Sequence, residues 1–459
     1  MPYNIRIVST YPPRRCGIGT FSRDLANALE HFTGEVGSIR IAAIDNGSRP
    51  YNIPVDLVID QYNPDSWKSI TKDILARASE TVNPTVVLLQ HEYGLDPDKD
   101  GFPGQGENFV EMAKTLHEKH LTTFVYLHTV LDEPDEHQKK VMQDLAGYSD
   151  ALIVTTESAI QILSSKIYGI DHSKLKHIDH GIRMQHPSHY DRLSMKRELG
   201  LEGIFLVMTL GLLSPGKGIQ YGIRGYAKFL TESCTESQRG KIIYLIAGQC
   251  HPEFVKSENG LPYSEFMGML EKNLEETKLK WCRVPQLNDS VDFINNDVVF
   301  LDTFLEESRL MKLYGATNVV LIPYLNLQQI SSGVLADTLG AGRVSVATKF
   351  RYAIELIHSN KPCPEGLVIG RHARGILIDP GEPSVEQIAQ ALDYLVFNES
   401  KRLRMEKQAH QRGYQMSWFN SAWALLQYID FIREEEEIKT GRGVKFIREK
   451  TSGLLQQHL

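Results

Sequence analysis

FLVMTLG (205–211) runs into the turn LLSPGKG (212–218) and on into IQYGIRGYAKFL (219–230). A short apolar run, a glycine-punctuated bend and apolar residues at helical spacing make one strand–turn–helix unit. The opening of the chain has the same plan. IRIVST (5–10) leads through YPPRRCGIGTF (11–21) into FSRDLANALEHF (21–32). Between these two starts lie SIRIAAI, TVVLLQH (85–91), TTFVYLH (122–128), DALIVTT (150–156) and LKHID (175–179), with helical patterns around Ser66–Thr81 and Asn108–Lys119. After the second start come KIIYLIAG (241–248), DVVFLD (297–302), NVVLIPY (318–324) and VSVAT (344–348). Flush apolar strands alternating with amphipathic helices predict parallel sheets covered on both faces. The pattern breaks at His180-Gly181, and the charged, helical-looking stretch Tyr190–Leu201 is read as the boundary between two doubly wound halves.

Length agrees with that division. At about 100–200 residues per domain, 459 residues exceed one ordinary core. With 42% apolar and 23% charged residues, the composition is that of a folded chain rather than a disordered or fibrous one. A net charge of −7 gives no general attraction to nucleic acid or anionic lipid. The five cysteines, Cys16, Cys234, Cys250, Cys282 and Cys363, have no paired spacing, so neither a disulfide framework nor a zinc cluster is expected. No secretory leader pattern and no run of about 20 apolar residues are found, and a cytoplasmic, reducing setting is expected. The polar segment His251–Asn296 reads as an insertion. SWFNSAWALLQYIDFIREEEEI (417–438) reads as a long closing helix with Trp418 and Trp423 in a core-facing stripe.

The chemistry gathers at the bends. Gly17 and Gly19 flank a turn that opens a helix, where free backbone amides and the helix dipole favour an anion. The third glycine of a dinucleotide fingerprint is missing, so a nicotinamide or flavin site is not supported. Arg14 and Arg15 read as solvated loop arginines. In the second half Gly211, Lys217 and Gly218 mark a bend suited to a diphosphate held by amides and one ammonium. The spacing is not that of a Walker loop, which sets aside an ATPase. Ser331, Ser332 and Gly333 stand where the helix of IPYLNLQQISSGVLADTLGAGRVSVAT (322–348) begins, with Gln329 before it and Asp337 inside it. His91, His128 and His180 follow strands of the first half and are read as aimed at one side of the sheet. No metal motif accompanies them, and Asp96 and Asp98 in LDPDKD read as a turn.

Taken together, these motifs resemble the retaining glycosyltransferases of family 4, whose GT-B fold consists of two facing Rossmann-like domains with a deep cleft between them. The similarity spans nearly the whole chain. YPPRRCGIGTF matches the family's first glycine-rich loop, and GLLSPGKG matches its Gly-Arg-Leu-x-x-x-Lys-Gly turn. The resemblance implies an acceptor-side domain over 1–195, completed by the helix 415–459, and a donor-side domain over 196–414. It implies that Lys217 meets the donor diphosphate, with Gly17, Gly19, Gly211, Ser331, Ser332 and Gly333 around it, and that Asp337 binds the nucleotide ribose. His128 and Gln329 would touch the reacting sugar, with His91 and His180 on the acceptor side. A UDP- or GDP-sugar donor, a small-molecule or glycan acceptor, and no cofactor or metal follow in the same way.

Two positions depart from the family. Its Glu, seven residues, Glu signature reads Gln329…Asp337, and an amide cannot stabilise developing positive charge as a carboxylate can. Its arginine ahead of the lysine is Leu212, which leaves Arg183, Arg343 or Arg351 as substitutes. The rival readings are a silent sugar-nucleotide-binding subunit and a phosphorylase or epimerase of the same fold.

Overall fold

The computed structural model describes residues 2–47, 50–96, 106–184, 191–250, 255, 260–284, 295–358 and 363–439. It divides into two units: Met1–Thr155 with Ala159–Gly181 and Trp418–Leu459, and Thr156–Ser158 with Ile182–Ser417.

In the first unit the β-branched run YNIRIVS forms β1 (Tyr3–Ser9), followed by α1 (Gly17–Leu29), β2 (Val36–Asp45) and β3 (Val55–Asp60). Then come α2 (Pro64–Ser79), β4 (Thr85–His91), α3 (Glu107–Glu118), β5 (Thr122–Leu127) and α4 (Glu136–Gly147). β6 (Ala151–Val154), α5 (Glu157–Ser164) and β7 (Leu175–His177) complete the sheet. Its seven parallel strands run β3-β2-β1-β4-β5-β6-β7. Order reverses between β1 and β4, the place where doubly wound sheets open a crevice at the strand carboxyl ends. One face packs Ile5, Ile7, Val86, Leu88 and Phe124 against Phe21, Leu25 and Leu29 of α1. β3 is not foreseen in the sequence reading, because VDLVID alternates buried and exposed residues as an edge strand does, with no flush apolar run.

The second unit begins with α6 (Arg192–Glu198), within the stretch read as a boundary, and β8 (Phe205–Leu210). α7 (Ile219–Ser233), β9 (Ile242–Ala247), α8 (Leu261–Thr277), β10 (Trp281–Val284) and β11 (Val298–Leu301) follow. The unit ends with α9 (Glu307–Ala316), β12 (Val319–Ile322), α10 (Gly333–Gly340), β13 (Val344–Thr348), β14 (Gly375–Ile378), α11 (Pro383–Phe397) and α12 (Glu399–Gln415). Its strands are again parallel, in the order β10-β11-β9-β8-β12-β13-β14, and the reversal falls between β8 and β12. Alternation at period two feeds two cores: Leu206, Met208, Leu245 and Val320 enter one, while Val207, Tyr244, Ile246 and Leu321 enter the other.

Two readings are corrected here. The segment His251–Asn296 is not simply an insertion: α8 buries Phe266, Leu270 and Leu274, and β10 pairs with β11 at the sheet edge. Residues 251–254, 256–259 and 285–294 lie outside the described residues. The last helix, α13 (Trp418–Lys439), lies on α1 in the first unit, burying Trp418, Ala422, Leu425, Leu426 and Ile429. Trp423, however, is 41% exposed and Phe419 54%, so its apolar residues do not form a single core-facing stripe. Among the described residues no helix is long and apolar enough to cross a membrane.

Candidate functional site

Each unit has candidate residues at its own order reversal. In the first, α1 starts at Gly17 with Cys16 as N-cap, and no side chain caps it. The amides of the first turn are therefore left for an outside acceptor. Gly19 sits tightly beneath the loop, since a Cβ there would lie 3.3 Å from Tyr11 N, whereas a Cβ on Gly17 would meet nothing within 4 Å. Arg14 is not solvated: its guanidinium donates to Gln61 Oε1 (2.7 Å) and to the Ile44 carbonyl (3.1 Å), fastening the loop to β2. Arg15 is exposed.

The histidines divide. His128 Nε2 lies 2.8 Å from Gln90 Oε1, and its ring meets the edge of Phe21 at 4.9 Å. His180 packs on the same Phe21 at 5.2 Å and on Trp418 at 5.7 Å, with Nδ1 2.8 Å from the Gly181 carbonyl. Burial, assisted by the charges of His180 and His91, lowers the His128 pKa to about 3, so the ring is neutral at physiological pH. With Gln90 Oε1 as acceptor, Nε2 holds the proton and Nδ1 the lone pair. His91 instead turns to the opposite face of β4. It is 0% exposed, lies edge-on to Tyr93 (5.0 Å) and Phe109 (5.3 Å), and neither ring nitrogen has a hydrogen-bond partner among the described residues. The expectation of three histidines on one side is corrected to two, because successive strand residues point to opposite faces.

Gln90 and Glu92 escape the sequence reading. Gln90, 0% exposed, is the partner that orients His128, and no local sequence pattern marks that pairing across two strands. Glu92 follows β4 and accepts a hydrogen bond from Thr129 Oγ1 at 2.6 Å; burial raises its pKa. Asp96 accepts from Phe109 N (2.9 Å) and Asn108 Nδ2 (2.6 Å) at the start of α3, and burial raises its pKa to about 6. Asp98 lies outside the described residues.

In the second unit β8 is followed by Gly211, whose φ of +118° lies in the region that favours glycine. The chain then makes a turn over Pro215–Lys217 and enters α7 from Gly218, which also leaves that helix without a side-chain cap. Gly218 has φ +63°, and a Cβ there would lie 2.0 Å from the Pro323 carbonyl oxygen. Lys217 Nζ stands 3.8 Å above the centroid of the Tyr324 ring. Across the reversal, Ser332 caps α10 by accepting from Leu335 N (3.3 Å), and Gly333 is exposed at the first position. Gln329 donates its side-chain amide to the Ser331 carbonyl (2.6 Å), an engagement within its own loop. Asp337 is half-buried in α10, and its charge helps to push the Tyr314 hydroxyl upward, after burial. Lys217 and the start of α10 thus stand after adjacent strands, β8 and β12.

Of the arginines read as substitutes for the one missing at Leu212, Arg343 is spent on structure. Its guanidinium donates to the carbonyls of Tyr314 (3.0 Å), Gly315 (2.6 Å) and Gly342 (3.2 Å), and it is 6% exposed. Arg183 lies 3.5 Å from Glu307, and burial lowers the pKa of Arg351 against the opposing pull of Glu355.

No family model and no curated protein matches this chain. Solved structures do. The chain is similar to Anabaena HepE in complex with UDP, with a TM-score of 0.65 and 14% identity over 93% of this chain and 99% of that one. The chain has the GT-B fold. A glycosyltransferase from Rickettsia africae aligns with a TM-score of 0.64 and 13% identity over 94% of this chain and 99% of that one. An Escherichia coli trehalose-6-phosphate structure bound with UDP-2-fluoro glucose aligns with a TM-score of 0.62 and 12% identity, covering 94% and 99%. At such identities the likeness speaks to architecture, and GT-B accounts for the two seven-stranded parallel sheets and for the reversal points at which the candidate residues sit.

Proposed function

We propose that this protein is a retaining glycosyltransferase that moves a hexose from a nucleoside-diphosphate sugar to a hydroxyl acceptor without a metal ion. The observation that carries the reading is the second unit's pair of helix starts. α7 opens without a side-chain cap beside Lys217, and α10 opens at Ser332 and Gly333, after neighbouring strands. Amides and an ammonium in that arrangement suit a pyrophosphate. The presence of UDP or UDP-sugars in solved GT-B structures supports a UDP-linked donor, with a GDP-linked one as the variant to test.

In this reading the bond from the anomeric carbon to the leaving phosphate oxygen breaks first, and Lys217 with the amides of Gly333 and Val334 offsets the growing charge. The acceptor oxygen attacks from the face the diphosphate leaves. Its proton passes to a phosphate oxygen, so the products are a glycoside and the nucleoside diphosphate. Neutral His128, oriented by Gln90, offers a lone pair to a sugar hydroxyl, and Asp337 accepts from the ribose. Gln329 contributes hydrogen bonding and no charge. The site on which such a reaction runs needs no flanking carboxylate pair, unlike a glycoside hydrolase. A cytoplasmic setting belongs to the same proposal.

The test is release of nucleoside diphosphate from UDP- and GDP-hexoses across a panel of sugar acceptors, with NMR of the anomeric product. Release that needs both donor and acceptor, with retained configuration, supports transfer. Tight donor binding with no turnover supports a silent subunit, the reading that the neutral, loop-tied Gln329 favours.

A further inference from the structure

A lysine on a loop is a poor preorganised cation, because its four-carbon stem samples many rotamers that must be frozen when a phosphate arrives. Lys217 is held otherwise. Its Nζ sits 3.8 Å over the face of Tyr324, well inside the distance at which a ring quadrupole attracts a cation. The ring is itself immobile: Tyr324 is 2% exposed and stacks on Phe350, with centroids 5.4 Å apart and planes inclined by 24°. Its backbone is clamped from two sides. Thr348 Oγ1 donates to the Tyr324 carbonyl at 2.6 Å, and the next residue, Leu325, donates its N–H to the Gly216 carbonyl at 2.9 Å. The second of these bonds joins the ring's strand end to the turn that bears the lysine, and Gly218 lies against the Pro323 carbonyl beside it. Tyr324 Oη is buried with no hydrogen-bond partner among the described residues, so the ring is placed by packing and not by its hydroxyl.

We propose that Tyr324 is a positioning residue whose ring face seats the Lys217 ammonium in advance of the donor, so that its remaining N–H groups point away from the ring toward the pyrophosphate. This rests on the reading of Lys217 as the diphosphate cation. It adds to that reading the group that fixes where the charge stands. An ammonium seated on a ring loses less freedom on binding phosphate than one in water, and the ring competes weakly because it offers no hydrogen-bond acceptor atom to the outward N–H groups.

Two measurements on the full chain test it. The first needs no ligand: reductive 13C-methylation of the lysines, with the Lys217 signal assigned by its loss in Lys217→Arg. A methyl resonance shifted upfield by a ring face in the wild type, retained in Tyr324→Phe and lost in Tyr324→Leu, is expected; a Lys217 signal at the position of a solvated lysine in the wild type overturns the proposal, even where Tyr324→Leu fails to fold. The second is UDP affinity by calorimetry. Tyr324→Leu should weaken binding about threefold to tenfold, Tyr324→Phe by less than about twofold, and Tyr324→Leu should cost nothing further in a Lys217→Met background. An equal loss with and without the lysine, or a loss in Tyr324→Phe as large as in Tyr324→Leu, sinks the seat. If the wild type binds no UDP, the donor reading fails while the methyl spectrum still decides the role of Tyr324.

Discussion

The loops after β1 and β8 begin as near equivalents. Each follows the strand beside the order reversal, each is rich in glycine and arginine or lysine, and each opens a helix with no side-chain cap. They use their cations in opposite ways. Arg14 turns inward and binds Gln61 and the Ile44 carbonyl, so its charge holds the loop to the sheet. Lys217 stays half-buried on the face of Tyr324. Local motif therefore specifies an anion-ready helix start, while the neighbour across the loop decides whether the nearby charge serves structure or ligand.

The sharpest break in that comparison is at the two cations. Lys217→Ala should cut nucleoside diphosphate release by roughly 10²–10³, the scale of losing one preorganised charge contact, with unfolding unchanged. Arg14→Ala should do the reverse: turnover per folded molecule near wild type, and stability lower by about 1–3 kcal/mol as the Ile44 and Gln61 oxygens lose their donor. Turnover lost equally in both variants would abolish the distinction.

Acidity sharpens it next. His91 and His128 in the first unit have pKa values lowered from 6.5 to about 3 by burial. The unfolded chain binds protons below pH about 6.5 that the folded unit refuses until about pH 3, so stability is complete above that window and declines as pH falls through it. His91 alone should contribute a loss of about 2–3 kcal/mol by pH 4.5, read as faster hydrogen exchange of β4 amides, and His91→Phe should flatten that decline. In the second unit the sign is the same but the window is alkaline. Burial lowers the pKa of Lys196, which donates to Asn318 Oδ1 and the Ile204 carbonyl, to about 7, so β8 amides should gain protection between pH 7 and 10, where the unfolded chain keeps a proton that the folded unit has released.

The glycines of the two bends close the series, and the smallest effect is at Gly17. Gly218→Ala places a Cβ 2.0 Å from the Pro323 oxygen at φ +63° and should cost about 1–3 kcal/mol, with weaker UDP binding because the Lys217 turn must move. Gly17→Ala meets nothing within 4 Å at the start of α1 and should be neutral or stabilising by up to about 1 kcal/mol, seen as an unchanged or higher melting temperature.

Much of the fold was legible because parallel sheets covered on both faces leave flush apolar strands, as in TVVLLQH and KIIYLIAG. The edges were not. β3 alternates, β10 carries Trp281, Cys282 and Arg283 in a polar neighbourhood, and α8 hides its Phe266, Leu270, Leu274 stripe among charges. Edge elements bury one face only, and their pattern is correspondingly thin. At the site, the glycine bends, Lys217 and the Ser332 cap could be read because helix starts need particular residues locally. Gln90 under His128 and Tyr324 under Lys217 could not, since nothing in QHEYG or IPYLN says which ring or ammonium will arrive from another strand.

Strand periodicity and bend chemistry are local properties of a chain, and from them alone came the two α/β halves, the uncapped helix starts and the residues beside them. Contacts between segments far apart in the chain are not local, and they settled the rest. Arg14 went to structure and Lys217 to a ring face, His91 sank beneath Phe109 while His128 stayed with Phe21, and Trp418–Lys439 came back to lie on α1. The reason is that a side chain's charge, tautomer and reach depend on what packs against it, and packing is decided only when the strands have found their order.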